Sequence, residues 1–304
     1  MNQKRTFFIQ IGKHLKKLLK RHQNILRLSI KVFALISFAF IIYNAFSTTK
    51  YKKTDIKIAP IDSKTTQTSM PTLQPSPKGV LLPSQVLDLT NWKITLPIGS
   101  SRNAMEIKQP ELANYTINPW FAVSQKSDAV IFRAPVNGLT TSGSDYPRSE
   151  LREMSDNGKV NANWSSEKGE HTMFLDQTIT AVPKVKQQIV AGQIHDDDKD
   201  IIVIRLDLPN LHIRVDGENV HTLDDNYTLG KRFTIKFVVE NNQTKVYYNN
   251  STDSVYTLNK SYSDAYFKAG AYAQSNCDKE GTSLLCNENN YGEVVLYQLG
   301  VTHQ

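Results

Sequence analysis

Short runs of alternating residues, separated by turn residues, fill this chain from about residue 86 to its end. The runs are rich in β-branched and aromatic side chains, which favour strands. Turn signals such as the pair Asn241-Asn242 fall between them. No helical period lasts longer than two turns, so helices cannot supply the core. The pattern predicts one large all-β sandwich or barrel, with strands at 201–208, 211–215, 233–239, 244–248, 265–273 and 293–301.

The first 60 residues differ from the rest in charge. They contain 13 of the 36 lysines and arginines but only one of the 29 acidic residues. The net charge of +7 therefore originates in the N-terminal segment, and the remainder of the chain is net acidic. An acidic remainder lacks the positive field that attracts nucleic acid, so we expect no nucleic-acid partner.

An apolar stretch at residues 28–46 follows the basic segment 1–27. About 19 apolar residues suffice for a helix that spans a hydrocarbon core of ~30 Å. The preceding basic residues would keep the N-terminus in the cytoplasm. We expect a single-pass anchor in the cell membrane, with the rest of the chain extracytoplasmic, either periplasmic or extracellular. The alternative is a signal peptide whose cleavage would make the protein secreted.

The segment 47–85 is rich in Pro, Thr, Ser and Lys and has no apolar periodicity, which predicts a linker. The folded domain is then expected at 86–304. It contains two cysteines, Cys277 and Cys286, in a polar segment with no histidine between them, which disfavours a zinc site. In an exported domain a disulfide that closes this loop is expected, and two free thiols are the alternative.

Three predicted strands have an unusually polar face. Alternate residues of a strand share a face, which puts Arg148, Glu150 and Arg152 together and Ser149 and Leu151 on the other side. Two guanidinium groups beside a carboxylate present forked donors of the kind that bind carboxylates. The alternative is an ordinary solvated strand face that carries a salt-bridged triplet.

The second strand places Gln193 and His195 on one face and Ile194 towards the core. A lone histidine on a strand is more often a surface residue than a catalytic one. The acidic run at 196–200 that follows is expected to be a solvated loop. A calcium site is the alternative, but the ordered ligand spacing and turn glycine of known calcium loops are missing.

The third strand, at 266–274, has small apolar residues on one face and polar or aromatic residues on the other, namely Tyr266, Lys268, Tyr272 and Gln274. Gly270 lies among them, and we interpret it as a gap through which a ligand approaches the backbone. Aromatic, basic and amide groups on one sheet face suit a negatively charged sugar polymer. An exposed polar face without a ligand is the alternative.

Taken in order, Arg148-Ser-Glu-Leu-Arg152, Gln193-Ile-His195 and Tyr266-Phe-Lys-Ala-Gly-Ala-Tyr-Ala-Gln274 resemble the alginate lyases of polysaccharide lyase family 7. The segment at 91–99 resembles the opening strand of that family, and the resemblance covers residues 86–304. It implies a β-jelly roll, which is a concanavalin-like sandwich of two curved antiparallel sheets with a substrate groove on one of them. Ala273 departs from the family pattern, which usually has asparagine there.

The resemblance also implies residue roles. Arg148 and Gln193 would hold the uronate carboxylate, and His195 and Tyr272 would transfer protons. Substrate binding would fall to further residues of the three strands, namely Glu150, Arg152, Tyr266, Lys268 and Gln274. The reaction is β-elimination across the 1,4-glycosidic bonds of alginate, which leaves 4,5-unsaturated uronate ends.

Because protein cations can neutralise the uronate carboxylate, we expect no metal and no organic cofactor. We also expect a monomer that cuts within the polymer. Ile194 predicts a polyguluronate preference, since in the family this isoleucine often accompanies it. The alternatives are a lyase of another polyuronate and a non-catalytic surface module that binds polysaccharide, although the complete quartet favours catalysis. A hydrolase would need paired carboxylates, for which Glu150 is the only obvious candidate.

Overall fold

The computed structural model describes residues 81–304, so the predicted anchor at 28–46 lies outside the described residues. Within 81–304 the chain forms two antiparallel sheets, consistent with a jelly-roll sandwich. The all-β prediction is confirmed. None of the helices in this part of the chain is long and apolar enough to cross a membrane.

The larger sheet, here called sheet A, contains nine strands. They are β1 (Trp92–Ser100), β2 (Asn103–Ile107), β5 (Arg148–Ser155), β6 (Val160–Asn161), β8 (Gln188–His195), β9 (Asp200–Asp207), β10 (Asn210–Val215), β11 (Glu218–Asp224) and β15 (Tyr266–Ala273). Their order is β11-β10-β9-β8-β15-β5-β1-β2, and β6 pairs with β5. The strands with the polar faces, β8, β15 and β5, are therefore direct neighbours in the middle of the sheet.

The second sheet, sheet B, contains seven strands in the order β14-β13-β12-β7-β16-β4-β3. They are β3 (Phe121–Val123), β4 (Val130–Pro135), β7 (His171–Ala181), β12 (Arg232–Glu240), β13 (Gln243–Tyr248), β14 (Tyr256–Asn259) and β16 (Tyr291–His303). Helical structure within 81–304 is limited to two 3-10 turns and one short helix, namely Pro83–Gln85, Glu111–Asn114 and α1 (Cys277–Glu280).

The core lies between the two sheets and follows the alternation of the strands. Leu151, Ile194 and Phe267 from sheet A are fully buried, as are Leu175 and Phe237 from sheet B. The predicted inward faces of β5, β8 and β15 are thus confirmed. Because these residues point inwards, their neighbours along each strand must occupy the outer face of sheet A.

The six strands predicted with explicit bounds correspond to β9, β10, β12, β13, β15 and β16, within two residues at each end. Asn241 and Asn242 have positive φ angles of 50° and 60° and form the tight turn between β12 and β13. The central strand β7 was not predicted. His171 and Gln177 occupy inward positions of β7 and are buried, so two polar residues interrupt its apolar alternation.

Candidate active site

The register of three neighbouring strands brings the polar faces onto one surface of sheet A. Tyr272 of β15 pairs with Arg148 of β5, and Lys268 pairs with Arg152 on that side. On the other side of β15, Lys268 pairs with Gln193 of β8, and Tyr266 pairs with His195. The structure therefore brings together the four residues that the sequence predicts to be catalytic.

Glu150 lies at the centre of this surface and is only 1% exposed. Its carboxylate accepts hydrogen bonds from Arg148 Nη1 at 2.8 Å, Lys268 Nζ at 2.6 Å and Gln193 Nε2 at 2.5 Å. Burial alone would raise the pKa of Glu150, but the Lys268 and Arg148 cations outweigh it and hold the pKa below its usual value. An ionised carboxylate thus ties β5, β8 and β15 together and orients three donors.

Arg148 and Gln193 keep donors that Glu150 does not use. A guanidinium has five N–H donors, and Arg148 Nε is buried without a partner among residues 81–304. The primary amide of Gln193 has two N–H donors, of which Glu150 accepts one. The Arg148 side chain is 11% exposed, so guanidinium donors that Glu150 does not use can bind a carboxylate from solvent.

The hydrogen bonds of His195 determine its protonation. Its Nδ1 contacts the backbone oxygen of Asp196 and lies 3.1 Å from Tyr266 Oη. A carbonyl oxygen only accepts, so Nδ1 carries the hydrogen and Nε2 of the neutral ring has a free lone pair. Burial, together with the Lys268 ammonium, lowers the pKa of His195 below its usual 6.5. His195 is therefore a neutral ring that can act as a base at neutral pH.

Tyr272 is half-buried and held from two sides. The Arg148 guanidinium lies over its ring, 3.8 Å from the centroid, and its hydroxyl lies 2.9 Å from Ser144 Oγ. Ser144 belongs to the loop between β4 and β5, which also places Tyr146 with its ring centroid 6.5 Å from that of Tyr272. Sequence reasoning missed both loop residues, because strand alternation says nothing about side chains in loops.

Arg152 and Gln274 lie at the margins of the same surface. The Arg152 guanidinium stacks on Tyr266 at 3.8 Å and donates to the backbone oxygen of Glu153 at 2.8 Å. No carboxylate within residues 81–304 forms an ion pair with it, so it can receive a uronate. Gln274 Oε1 accepts a hydrogen bond from Arg205 Nη1 at 3.4 Å. Arg205 comes from β9, a strand that the predicted site did not include.

Lys268 is a buried ammonium between two guanidinium groups. Burial and the nearby Arg148 cation lower its pKa to about 8, although Glu150 opposes the shift. The positive charge of the surface therefore depends on pH in a range where arginine does not titrate.

The backbone around Gly270 explains this glycine without a ligand. Its φ angle is +122°, a conformation that residues with a Cβ rarely adopt. A Cβ at this position would lie 2.7 Å from the Ser149 backbone oxygen and 2.8 Å from Phe132 Cδ1. The glycine is thus explained by the local backbone and by tight packing against β5 and the core. A gap for a ligand is therefore not needed to explain this glycine.

Two further predicted features lie beside the site. A disulfide joins Cys277 and Cys286 across α1. In the acidic loop, Asp196 Oδ1 accepts hydrogen bonds from the backbone N–H groups of Asp198 and Lys199 at 2.8 Å and 2.7 Å. Within the described range, no group of three or more histidine, cysteine or acidic side chains has an arrangement that could hold a metal ion.

One buried carboxylate, Glu153, was overlooked. It lies on the inward face of β5, where it accepts hydrogen bonds from Trp164 Nε1 at 3.0 Å and from the Phe267 backbone N–H at 2.9 Å. The alternation of Ser149 and Leu151 already assigns Glu153 to the core.

A nearby pocket of about 630 Å³, lined partly by Trp164, contains none of the predicted site residues. Those residues lie instead on the outer sheet face, which is suited to a polymer.

Comparisons with known proteins agree with this geometry. The sequence profile of a family described as alginate lyase matches residues 87–303. The chain is similar to the solved structure of alginate lyase AlgAT5 from polysaccharide lyase family 7, with 51% identity over 74% of this chain and 99% of that one, and a TM-score of 0.69. It is also similar to the alginate lyase from Corynebacterium sp., with 47% identity over 73% of this chain and 98% of that one, and a TM-score of 0.70. A curated alginate lyase of Klebsiella pneumoniae is 26% identical over 75% of this chain and 94% of its own length.

Proposed function

This chain belongs to the alginate lyases of polysaccharide lyase family 7, and we propose that it cuts within alginate chains with a preference for polyguluronate. One observation carries the assignment of the site. Arg148, Gln193, His195 and Tyr272 share one outer sheet face, organised around the buried carboxylate of Glu150.

In the first step, Arg148 and Gln193 bind the uronate carboxylate with donors that Glu150 leaves free. Neutralising this carboxylate makes the C5 proton more acidic, because negative charge that develops at C5 spreads onto bound oxygens. A base removes the C5 proton, and the electron pair forms the C4–C5 double bond. The C4–O4 bond breaks, and Tyr272 donates its proton to the departing O4.

The base depends on the epimer at C5, because the C5 proton points to opposite faces of mannuronate and guluronate. His195 acts on guluronate through the free lone pair of Nε2. On mannuronate Tyr272 is itself the base, and the proton that it takes from C5 is the one that it passes to O4. The Arg148 guanidinium lies over its ring, 3.8 Å from the centroid. His195 of β8 pairs with Tyr266 at the start of β15, and Tyr272 lies near the end of β15, where it pairs with Arg148. This separation along β15 supports the action of the two groups from different sides.

Cleavage within the polymer is supported by the position of the site in the sheet. The strands β5, β8 and β15 have further strands of sheet A on both sides, so a long chain can extend past the site in either direction. Ile194 lies between Gln193 and His195, and in the family an isoleucine at this position often accompanies a polyguluronate preference. Its presence therefore supports the guluronate preference.

The decisive test is Tyr272→Phe, assayed on polymannuronate and polyguluronate through the ultraviolet absorbance of the unsaturated product. We expect activity on both to be abolished. Tyr297→Phe removes a phenol hydroxyl on sheet B and serves as the control, with activity expected to be unchanged. Tyr272→Phe that keeps most activity on both polymers would refute its assignment as the acid.

The same assay separates the two alternatives. A lyase of another polyuronate would form unsaturated ends faster from that polymer than from alginate, and a binding module would form none. Product size over time distinguishes internal cuts, which give a range of oligomers early, from removal of terminal units.

We further propose that the protein is a monomer anchored in the cell membrane by residues 28–46, with the lyase domain outside the cytoplasm. Support comes from the sequence, in which the basic residues of 1–27 precede the apolar stretch. Membrane fractionation followed by protease treatment of intact cells tests the topology. Recovery of the full chain in the soluble fraction would exclude a retained anchor, and light scattering would give the oligomeric state.

A further inference from the structure

The loop between β7 and β8 brings a lysine to the aromatic margin of the site. Lys186 Nζ donates a hydrogen bond to Tyr146 Oη at 3.3 Å and lies 5.1 Å from the centroid of the Tyr146 ring. Tyr146 is in turn the aromatic neighbour of Tyr272. The ammonium group thus lies beyond the proposed catalytic phenol, separated from it by a single aromatic ring.

Lys186 is half-buried but has no partner of opposite charge. Among residues 81–304 no carboxylate forms an ion pair with it, whereas Lys268 and Lys93 of sheet A are paired with Glu150 and Glu106. Holding a cation partly out of water without a counterion is unfavourable, and a carboxylate from outside would relieve this cost. An ammonium beside an aromatic ring can bind a sugar acid through both its carboxylate and its apolar ring face.

A further buried carboxylate fixes the backbone position of Lys186. Glu280 of α1 is 2% exposed and accepts hydrogen bonds from the backbone N–H groups of Val185 at 2.9 Å and Lys186 at 3.2 Å. Ser275 and Asn290 also donate to it, at 2.6 Å and 2.8 Å. Burial would raise the pKa of Glu280, but these hydrogen bonds lower it below its usual value, so the group is ionised.

Glu280 itself lies inside the loop that the Cys277–Cys286 disulfide closes. The disulfide loop therefore braces the loop between β7 and β8 through Glu280. Such bracing reduces the conformational entropy that Lys186 would lose when it binds a ligand.

We propose that Lys186 and Tyr146 form an additional uronate-binding subsite next to the cleavage position, on the Tyr272 side, with Glu280 as its positioning residue. The inference rests on the proposed function, because its ligand is a uronate unit of the polymer being cut. Lys186 binds the carboxylate of that unit, and the Tyr146 ring packs against the sugar.

The test is Lys186→Ala in the full-length protein, assayed on polyguluronate and polymannuronate. Loss of one partly exposed ion pair should raise KM about 5-fold and leave kcat unchanged, which is the signature of lost binding without lost chemistry. Lys186→Arg should restore most of the affinity. Lys184→Ala, in the same loop but at an exposed position, is the matched control and should keep the wild-type KM. A wild-type KM in Lys186→Ala overturns the subsite.

Glu280→Gln tests the positioning role. It should raise KM as Lys186→Ala does, and the double variant should be no worse than either single one, because both act through the same contact. Additive effects in the double variant would mean that Glu280 acts on the enzyme in some other way and would overturn its role here.

Failure of the subsite can be told apart from failure of the proposed function. If the wild-type protein forms no unsaturated product from any alginate, the proposed function fails. Calorimetric binding of guluronate oligomers to the wild type and to Lys186→Ala then still tests the subsite directly. Equal affinities would exclude it, and an approximately 5-fold weaker affinity in the variant would support it.

Discussion

The Ser144 hydroxyl lies 2.9 Å from the Tyr272 phenol and, at 3.1 Å, also accepts a hydrogen bond from the Tyr146 backbone N–H. Ser144 is buried, so its hydroxyl is fixed by its own loop and holds the phenol at one position. The loop between β4 and β5 thus sets the direction in which Tyr272 can transfer a proton.

Ser144→Ala should lower kcat by about 5-fold, corresponding to one hydrogen bond of about 1 kcal/mol, and leave KM nearly unchanged. The reason is that the phenol keeps its chemistry but loses its orientation. Steady-state kinetics on polyguluronate measure the effect, and Ser142→Ala, at an exposed position of the same loop, should behave as wild type. An unchanged kcat in Ser144→Ala would show that Arg148 alone is enough to position the phenol.

Glu150→Gln should destabilise the fold by about 3 kcal/mol, because the buried Arg148 and Lys268 cations would lose their common counterion. Activity should fall as well, since Glu150 orients Arg148 and Gln193. Denaturant unfolding and kcat/KM measure the two effects. The comparison is Asp176→Asn, which breaks the exposed pair with Arg232 and should cost less than about 1 kcal/mol. A similar loss in the two variants would contradict the central role of Glu150.

Strand alternation was sufficient to predict which side chains of β5, β8 and β15 face outwards, and the resemblance to the family implied that these faces form one groove. The apolar inward residues of β15 are all fully buried, which forces Tyr266, Lys268 and Tyr272 onto the outer face. Alternation could not reveal the contacts made by Ser144 and Lys186, because loops have no periodicity from which a direction follows. It also could not show that Glu150 lies at the centre of three donors, since the order of strands in a sheet is not encoded in any single strand.

Gly270→Ala should destabilise the protein by about 2 kcal/mol, since the variant would combine an unfavourable φ with a collision against β5. Gly217→Ala separates these two causes, because Gly217 has a φ of +83° but nothing within 4 Å of the added Cβ. That control should cost about 1 kcal/mol. If Gly270→Ala raised KM without any loss of stability, access for a ligand would be the better explanation of the glycine.

Activity should decline on the alkaline side of the pH profile because Lys268 loses its charge there. Lys268 is charged below its lowered pKa of about 8 and neutral above it, so its positive charge is lost as pH rises through that value. The Glu150 carboxylate, no longer neutralised by Lys268, would then attract the Arg148 guanidinium more strongly. Because Arg148 is needed at the substrate carboxylate, kcat/KM should decline. In Lys268→Arg the charge persists to far higher pH, so the decline near pH 8 should disappear even if the larger side chain lowers activity at neutral pH. Profiles of kcat/KM for the two proteins decide the matter, because a decline at the same pH in both would assign it to a group other than Lys268.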